Sequence, residues 1–173
     1  MKISQISGWI LAMGLCVSGC GYQMAGHGPT QLPPHLKTVA IPVFENNSAE
    51  PTIQRPFTEA LRRAFITDGR LKLINDTGRA DLVITGTLVN YWIRAVAFNQ
   101  NDVAIEYWVY LEADVLVRDR VKNQTYLQQK LKTRWDYRAL DDVVDSEAAR
   151  QEALQQTYRV LSLRLVSLVN DKF

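Results

Sequence analysis

The chain has 173 residues, with 20 Lys and Arg against 18 Asp and Glu, a formal net charge of +2. That balance excludes a polycationic nucleic-acid binder, and the length suits one domain with a proper core. The two cysteines, Cys16 and Cys20, exclude a disulfide framework.

Residues 1–19 read as a cleaved signal peptide. Lys2 supplies a thin positive n-region. The apolar run Ile3 to Val17 is diluted by Ser4, Gln5 and Ser7, so it is too short and too polar for a good membrane-spanning helix. It ends in Val17-Ser18-Gly19-Cys20, the lipobox pattern. Its small residues let an extended backbone enter a peptidase cleft, and its thiol takes the lipid. Cleavage removes Cys16, and diacylglycerol plus an N-acyl chain on Cys20 leave no thiol for an intrachain disulfide. Several acyl chains, at about 0.8 kcal/mol per buried methylene, hold such a protein firmly on a membrane. Gly21 stands where an aspartate commonly retains lipoproteins at the inner membrane, which favours the periplasmic face of the outer membrane.

Residues 20–36, rich in Gly, Pro, Gln and His, read as a lipidated tether, and 37–173 as a single α+β domain. Lys37 to Phe44 is a short β-branched strand. Pro42 cannot donate to a ladder, which predicts an edge position or a bulge. Glu45 to Pro51 is a turn cluster. A helix follows over about Pro51 to Asp68, with Ile53, Phe57, Ala60, Leu61, Ala64 and Phe65 inward and Glu59, Arg62 and Arg63 in solvent. Gly69 is its left-handed C-cap. A short strand, Leu71 to Ile74, leads through the turn Asn75 to Gly78 into three long strands.

The first long strand, Ala80 to Phe98, starts apolar on both faces, as a covered central strand does. After the turn Asn99 to Asp102, Val103 to Arg118 alternates. Val103, Ile105, Tyr107, Val109, Leu111, Ala113, Val115 and Val117 face one way, while Glu106, Trp108, Tyr110, Glu112, Asp114 and Arg118 face the other. Thr125 to Tyr137 alternates in step, with Leu127, Leu131 and Trp135 inward and Lys130, Lys132 and Arg134 outward. A loop centred on Lys122 sets Asp114 opposite Lys130 and Glu112 opposite Lys132. A two-residue slip sets Glu112 opposite Lys130 and Trp108 opposite Arg134, and the pattern does not choose. The chain closes with a helix over 142–170, capped by Asp141, Asp142 or Ser146, with an inward stripe Leu154, Tyr158, Leu161, Leu165 and Leu168 widened by Val169. At about 1.5 Å per residue it is roughly 43 Å long and can lie along strands of about 50 Å. The fold class is α+β: a mainly antiparallel, mixed sheet with both helices packed on one face, in the order β-α-β-β-β-β-α.

Chemistry-bearing motifs are absent. His27 and His35 have no cysteine or paired carboxylate near them in sequence. No metalloprotease, nucleophile-elbow, phosphate-loop or CxxC pattern occurs. The acidic cluster Asp141, Asp142 and Asp145 suits a helix start. The sequence therefore predicts a non-enzyme with no metal and no cofactor beyond the Cys20 lipid. Two surfaces are candidate binding sites. Arg118, Arg120 and Lys122 at the hairpin tip, with Lys130, Lys132 and Arg134 on the wet face, carry the donors that bind phosphate-like anions. Trp108 and Tyr110 on that face are candidate partner-docking residues. A solvated loop and ordinary cross-strand pairing account for the same residues without a ligand.

The chain resembles the outer-membrane lipopolysaccharide-assembly lipoproteins, the LptE family. The resemblance rests on Cys20-Gly21-Tyr22, Leu32-Pro33, the run VAIPVFEN from Val39 to Asn46, and the helix rich in Thr, Glu, Ala, Leu and Arg. ADLVITG from Ala80 to Gly86 completes it. It spans the mature chain in order and is richest in the amino-terminal half. It implies a non-enzymatic lipoprotein on the periplasmic leaflet of the outer membrane that plugs a large LptD-like β-barrel. Such proteins help the barrel assemble and help deliver lipopolysaccharide (LPS) to the outer leaflet. The phosphates and acyl chains of lipid A then suit a cation-tipped, aromatic-bearing sheet. The alternative is a periplasmic scaffold lipoprotein of curli-type secretion or cell-wall synthase activation, which shares the IPVF-type strand. Against it stand the Cys-Gly-Tyr start, the short tether and the two long alternating strands.

Overall fold

The computed structural model describes residues 32–140 and 142–171. The elements are β1 (Thr38–Ala40), β2 (Glu45–Asn46), α1 (Gln54–Asp68), β3 (Lys72–Leu73), β4 (Leu82–Phe98), β5 (Ala104–Asp119), β6 (Gln124–Arg138) and α2 (Val143–Asn170). They form one mixed sheet in the order β3-β1-β4-β5-β6, with β2 also on β4. Pairings among β1 to β4 are parallel, and β4, β5 and β6 form an antiparallel meander. The α+β class holds, with both helices on one face of the sheet and the other face open. The element order gains one strand, because β2 arises inside the expected turn cluster.

Both helices bury the stripes their spacing marks. Phe57, Leu61 and Phe65 of α1 and Leu154, Tyr158, Leu161, Leu165 and Val169 of α2 meet Ile84, Leu88, Leu111, Ala113, Val115 and Leu131 of the sheet. Phe57 is the hinge of this core, edge-on to Phe44 at 5.1 Å and to Tyr158 at 6.1 Å. Each large apolar side chain buried in this way contributes about 1.5–3 kcal/mol. Leu168 is only partly buried. Gly69 takes φ 72° and donates its N–H to Phe65, closing α1 in the left-handed conformation.

Pro42 acts differently from the expectation. β1 is not an edge strand; it lies between β3 and β4. The ladder stops at Ala40 and resumes at Glu45, so Pro42 falls in a gap and no donor is missing from a pairing. Side chains of α1 satisfy the gap. Arg62, expected in solvent, turns in and donates from Nε and Nη2 to the Ile41 carbonyl at 3.0 and 2.7 Å. Thr58 Oγ1 accepts from the Phe44 N–H at 3.0 Å. The Phe44 ring thereby lands on Gly86, where a Cβ would lie 2.4 Å from the ring and 2.5 Å from the Asp114 carbonyl oxygen.

The β5–β6 register is the one centred on Lys122, with Asp114 opposite Lys130 and Glu112 opposite Lys132. Asn123, at φ 50°, closes that turn. Asp142 caps α2, accepting from the N–H groups of Val144 and Asp145, while Asp141 lies outside the described residues. The domain begins earlier than its composition suggests: Leu36 is in the core and Leu32 packs against it. The signal-peptide and Cys20 expectations concern residues outside those described.

Because Gly86 sits under both a ring and a backbone carbonyl, Gly86→Ala should destabilise the fold by about 2 kcal/mol, as overpacking of a filled core does. Urea unfolding of wild type and variant measures this, and coincident midpoints would contradict the close approach.

Candidate functional site

The open face of the sheet is ruled by rungs that cross three strands. Asn90, Glu112 and Lys132 form one; Trp92, Tyr110 and Arg134 the next; Arg94, Trp108 and Asp136 the third. Asn90 Nδ2 donates to Glu112 Oε2 at 2.8 Å, and Lys132 Nζ lies 3.0 Å from Glu112 Oε1. These two partners, Asn90 foremost, hold the Glu112 carboxyl below its ordinary pKa. Lys130 faces Asp114 at a looser 3.7 Å.

Aromatic rings and cations interleave across the same rungs. Trp92 and Tyr110 stack at 4.7 Å with planes 5° apart. Lys132 Nζ caps the pair, 4.6 Å from the Trp92 centroid and 5.5 Å from that of Tyr110. The Arg134 guanidinium carbon sits 3.8 Å over Trp108. Tyr110 is therefore covered, at 9% exposure, and is not the exposed docking residue its position in the pattern suggested. Trp108 keeps part of its ring accessible.

The six candidate cations thus separate into two groups. Lys130, Lys132 and Arg134 already have carboxylate or ring partners on the ladder. Arg118, Arg120 and Lys122 are exposed around the β5–β6 turn. Of these, Arg120 donates from Nη1 to the Thr77 carbonyl at 2.8 Å, which fixes its stem and leaves its other guanidinium nitrogens available.

Beside that tip lies a groove that sequence reasoning missed. Its two halves, of about 780 and 820 Å³, share Pro42, Thr85 and Leu116. One half adds Val43, Gln128 and Lys130, and the other adds Val83, Arg118 and Arg120. The Pro42 gap makes it possible: where β1 stops and β2 has not begun, the open face loses a strand. The lining is mixed: Pro42, Val43, Val83 and Leu116 give apolar surface, Glu45 and Asp114 bring carboxylates to one half, and Arg118 and Arg120 stand at the other. The arginine half is the one that can take an amphiphile joining an acyl chain to a phosphate.

Two carboxylates fasten this end. Asp81 Oδ2 accepts from the N–H groups of Lys37 and Thr38 and from the Thr38 hydroxyl, each at 2.9 Å, and the Thr38 hydroxyl accepts the Asp81 N–H. The Lys37 N–H is the largest influence holding the Asp81 carboxyl below its ordinary pKa. Asp119, 1% exposed, accepts from His35 Nε2 at 2.8 Å and from the Lys122 N–H at 2.9 Å. Burial works to raise its pKa, and the Lys122 N–H and His35 outweigh it, so the carboxyl stays below its ordinary value. The partner that His35 lacks nearby in sequence comes from the far end of β5.

The family model for lipopolysaccharide assembly, LptE, matches residues 36–168. The chain belongs to the LptE family. No curated protein matches it. The LptE-family chain shares its fold with solved structures at low identity. Lipoprotein B from Nitrosomonas europaea is 16% identical with a TM-score of 0.57, over 80% of this chain and 84% of that one. A hypothetical protein from Chlamydia trachomatis is 14% identical with a TM-score of 0.54, over 78% and 98%. PelC from Paraburkholderia phytofirmans, a dodecamer, is 10% identical with a TM-score of 0.53, over 83% and 96%. LptE membership places this chain among the envelope lipoproteins of lipopolysaccharide assembly and ties it to the lipopolysaccharide transport machinery. Among the described residues, no helix is long and apolar enough to cross a membrane.

The depressed Asp81 pKa carries a sign for stability. Its contribution is fully present above the unfolded value of about 3.8 and is lost as pH falls through the lower folded value. Asp81→Asn should therefore lower the urea midpoint at neutral pH by an amount worth about 1–2 kcal/mol, with the gap to wild type closing in acid. A gap that stays constant with pH would show that the carboxylate charge is not what holds β1.

Proposed function

We propose that this protein is acylated on Cys20, held on the periplasmic face of the outer membrane, and seated in an LptD-like β-barrel. There it plugs and helps assemble the LPS translocon and assists insertion of LPS into the outer leaflet. No catalytic step and no cofactor beyond the covalent lipid belong to this proposal. The observation that carries it is the LptE match over 36–168, together with an open face where a groove of mixed polarity runs up to Arg118 and Arg120.

The groove supplies what a lipid A headgroup asks for. Its phosphates need charge-assisted donors, and its proximal acyl carbons need an apolar floor such as Val83, Leu116 and Pro42. Arg118, Arg120 and Lys122 are the cations with donors to offer, whereas Lys130, Lys132 and Arg134 would have to leave existing partners. Trp108 and the Arg134 over it supply a partner-docking surface further along the same face.

Replacing Arg118, Arg120 and Lys122 together by Ala should weaken LPS binding by roughly tenfold per lost charged contact, more steeply at low salt than at high. Equal binding by the triple variant would remove the groove from the proposal. For the whole assignment, detergent affinity purification should recover an outer-membrane β-barrel of the LPS-export class. Recovery of peptidoglycan synthases without such a barrel would overturn it. Cys20→Ala should move the protein out of the membrane fraction in cells depleted of the barrel.

A further inference from the structure

The end of the sheet that receives the amino-terminal segment is also its most cationic end, and we infer that it docks flat on an anionic phospholipid surface. Lys37 precedes β1, Lys72 opens β3, Arg79 precedes β4, and Arg118, Arg120 and Lys122 surround the end of β5. The pairings of Thr38 with Lys72, Val39 with Leu82 and Leu82 with Asp119 bring these side chains to one end. All are exposed.

The acids at this end do not cancel them outward. Asp81 and Asp119 direct their oxygens to backbone N–H groups, Thr38 and His35. Asp68 and Asp171 face Arg70, and Asn170 donates to Asp68. Asp76 is exposed and turns one oxygen to the Gly78 N–H. What projects toward a partner is a rim of six ammonium and guanidinium groups, with Asp76 and the partly exposed Asp171 the carboxylates that share it.

Covalent reach selects the surface they meet. This step rests on acylation of Cys20. Residues 20–31, fully extended at about 3.4 Å each, span roughly 40 Å. The opposite end of the domain lies a β5 length away, 16 residues or about 53 Å at roughly 3.3 Å each. A domain standing on its far turn would therefore place Leu32 beyond the reach of the anchor. The end bearing Lys37, Lys72 and Arg79 is the one the tether delivers to the leaflet. There each cation within a Debye length of an anionic surface contributes roughly fivefold to binding. The occupant is the phospholipid headgroup layer that carries the anchor; the groove that Arg118 and Arg120 rim, proposed for LPS, opens beside it.

The test uses the full mature chain with Cys20→Ala, so that acyl insertion does not mask the contact. It compares sedimentation with phosphatidylcholine vesicles containing or lacking phosphatidylglycerol, at rising salt. The expected result is binding to the anionic vesicles alone, reduced by salt. A Lys37→Glu, Lys72→Glu, Arg79→Glu variant should lose at least tenfold while keeping its LPS affinity. The matching Gln variants should show an intermediate loss, which guards against misfolding of the charge-reversed protein. Undiminished vesicle binding by both variants, or equal binding to neutral vesicles, would overturn the inference. Loss of LPS binding in the Arg118, Arg120 and Lys122 variant bears on the groove. Release of Cys20→Ala from membranes bears on the anchor. Failure of the docking surface is thus distinguishable from failure of either.

Discussion

The break in parallel pairing at Pro42 is the constraint on which both faces of the sheet depend. A residue without an N–H cannot complete the ladder to β4, so the chain leaves the sheet after Ala40 and rejoins it at Glu45. On the covered side this drops Phe44 onto Gly86 and lets its ring anchor Phe57, which in turn meets Tyr158 of the second helix. On the open side the same gap becomes the groove between Pro42 and Leu116. Core and candidate site are two consequences of one interruption. Arg62 and Thr58 make it stable, because the Ile41 carbonyl and the Phe44 N–H would otherwise be buried without partners at a cost of about 1–3 kcal/mol each.

The ladder on the open face and the tip beside it perform different electrostatic tasks. Ion pairs in solvent contribute only about 0–1 kcal/mol, so Lys130 on Asp114 does little for stability. Lys132 differs, because one ammonium serves Glu112 and caps two stacked rings at once. Recruiting Lys132 to a ligand would expose those rings and leave Glu112 with Asn90 alone. The tip cations carry no such penalty. Clamped stems and free nitrogens, as in Arg120 on the Thr77 carbonyl, suit ligand binding better than an already neutralised pair does.

Much of this was legible in the sequence, and the losses have a physical pattern. The two helical stripes, the Gly69 cap and most of the alternation of β5 and β6 could be read because each keeps one period over a long run, broken in β6 at Tyr126 and in β5 at Ile105. The β5–β6 register also lay among the readable options; what decided it was the bulge at Tyr126, which shifts the ladder by one residue between the turn and Val117. Trp92 was missed because β4 does not keep its period. Leu88 and Tyr91 both face the core although they are three residues apart, since the ladder shifts between Leu88 and Asn90. Strict alternation from Leu88 would have turned Trp92 inward. Tyr110 was misjudged for the same reason: its exposure depends on a neighbour whose face only the bulge sets. The Asp119 and His35 pair was hidden by distance along the chain, and Arg62 by a carbonyl whose need for a donor is invisible until Pro42 is seen to leave the sheet.

The two fastening carboxylates tie the start of the domain to its long strands. Asp81, in the ADLVITG run, binds the backbone where the amino-terminal segment becomes β1, and Asp119 binds both His35 and the tip turn. Each ties the incoming chain to a long strand. A pull on the amino terminus is therefore met by β4 and β5 directly, and not by the two-residue β3 at the margin. Arg120 closes the circuit by donating its N–H to the Asp81 carbonyl. The start of β1, the tip turn and the groove mouth are thus joined by one set of hydrogen bonds. The orientation of the open face relative to the incoming chain is therefore set by these bonds, and by Asp81 and Asp119 foremost.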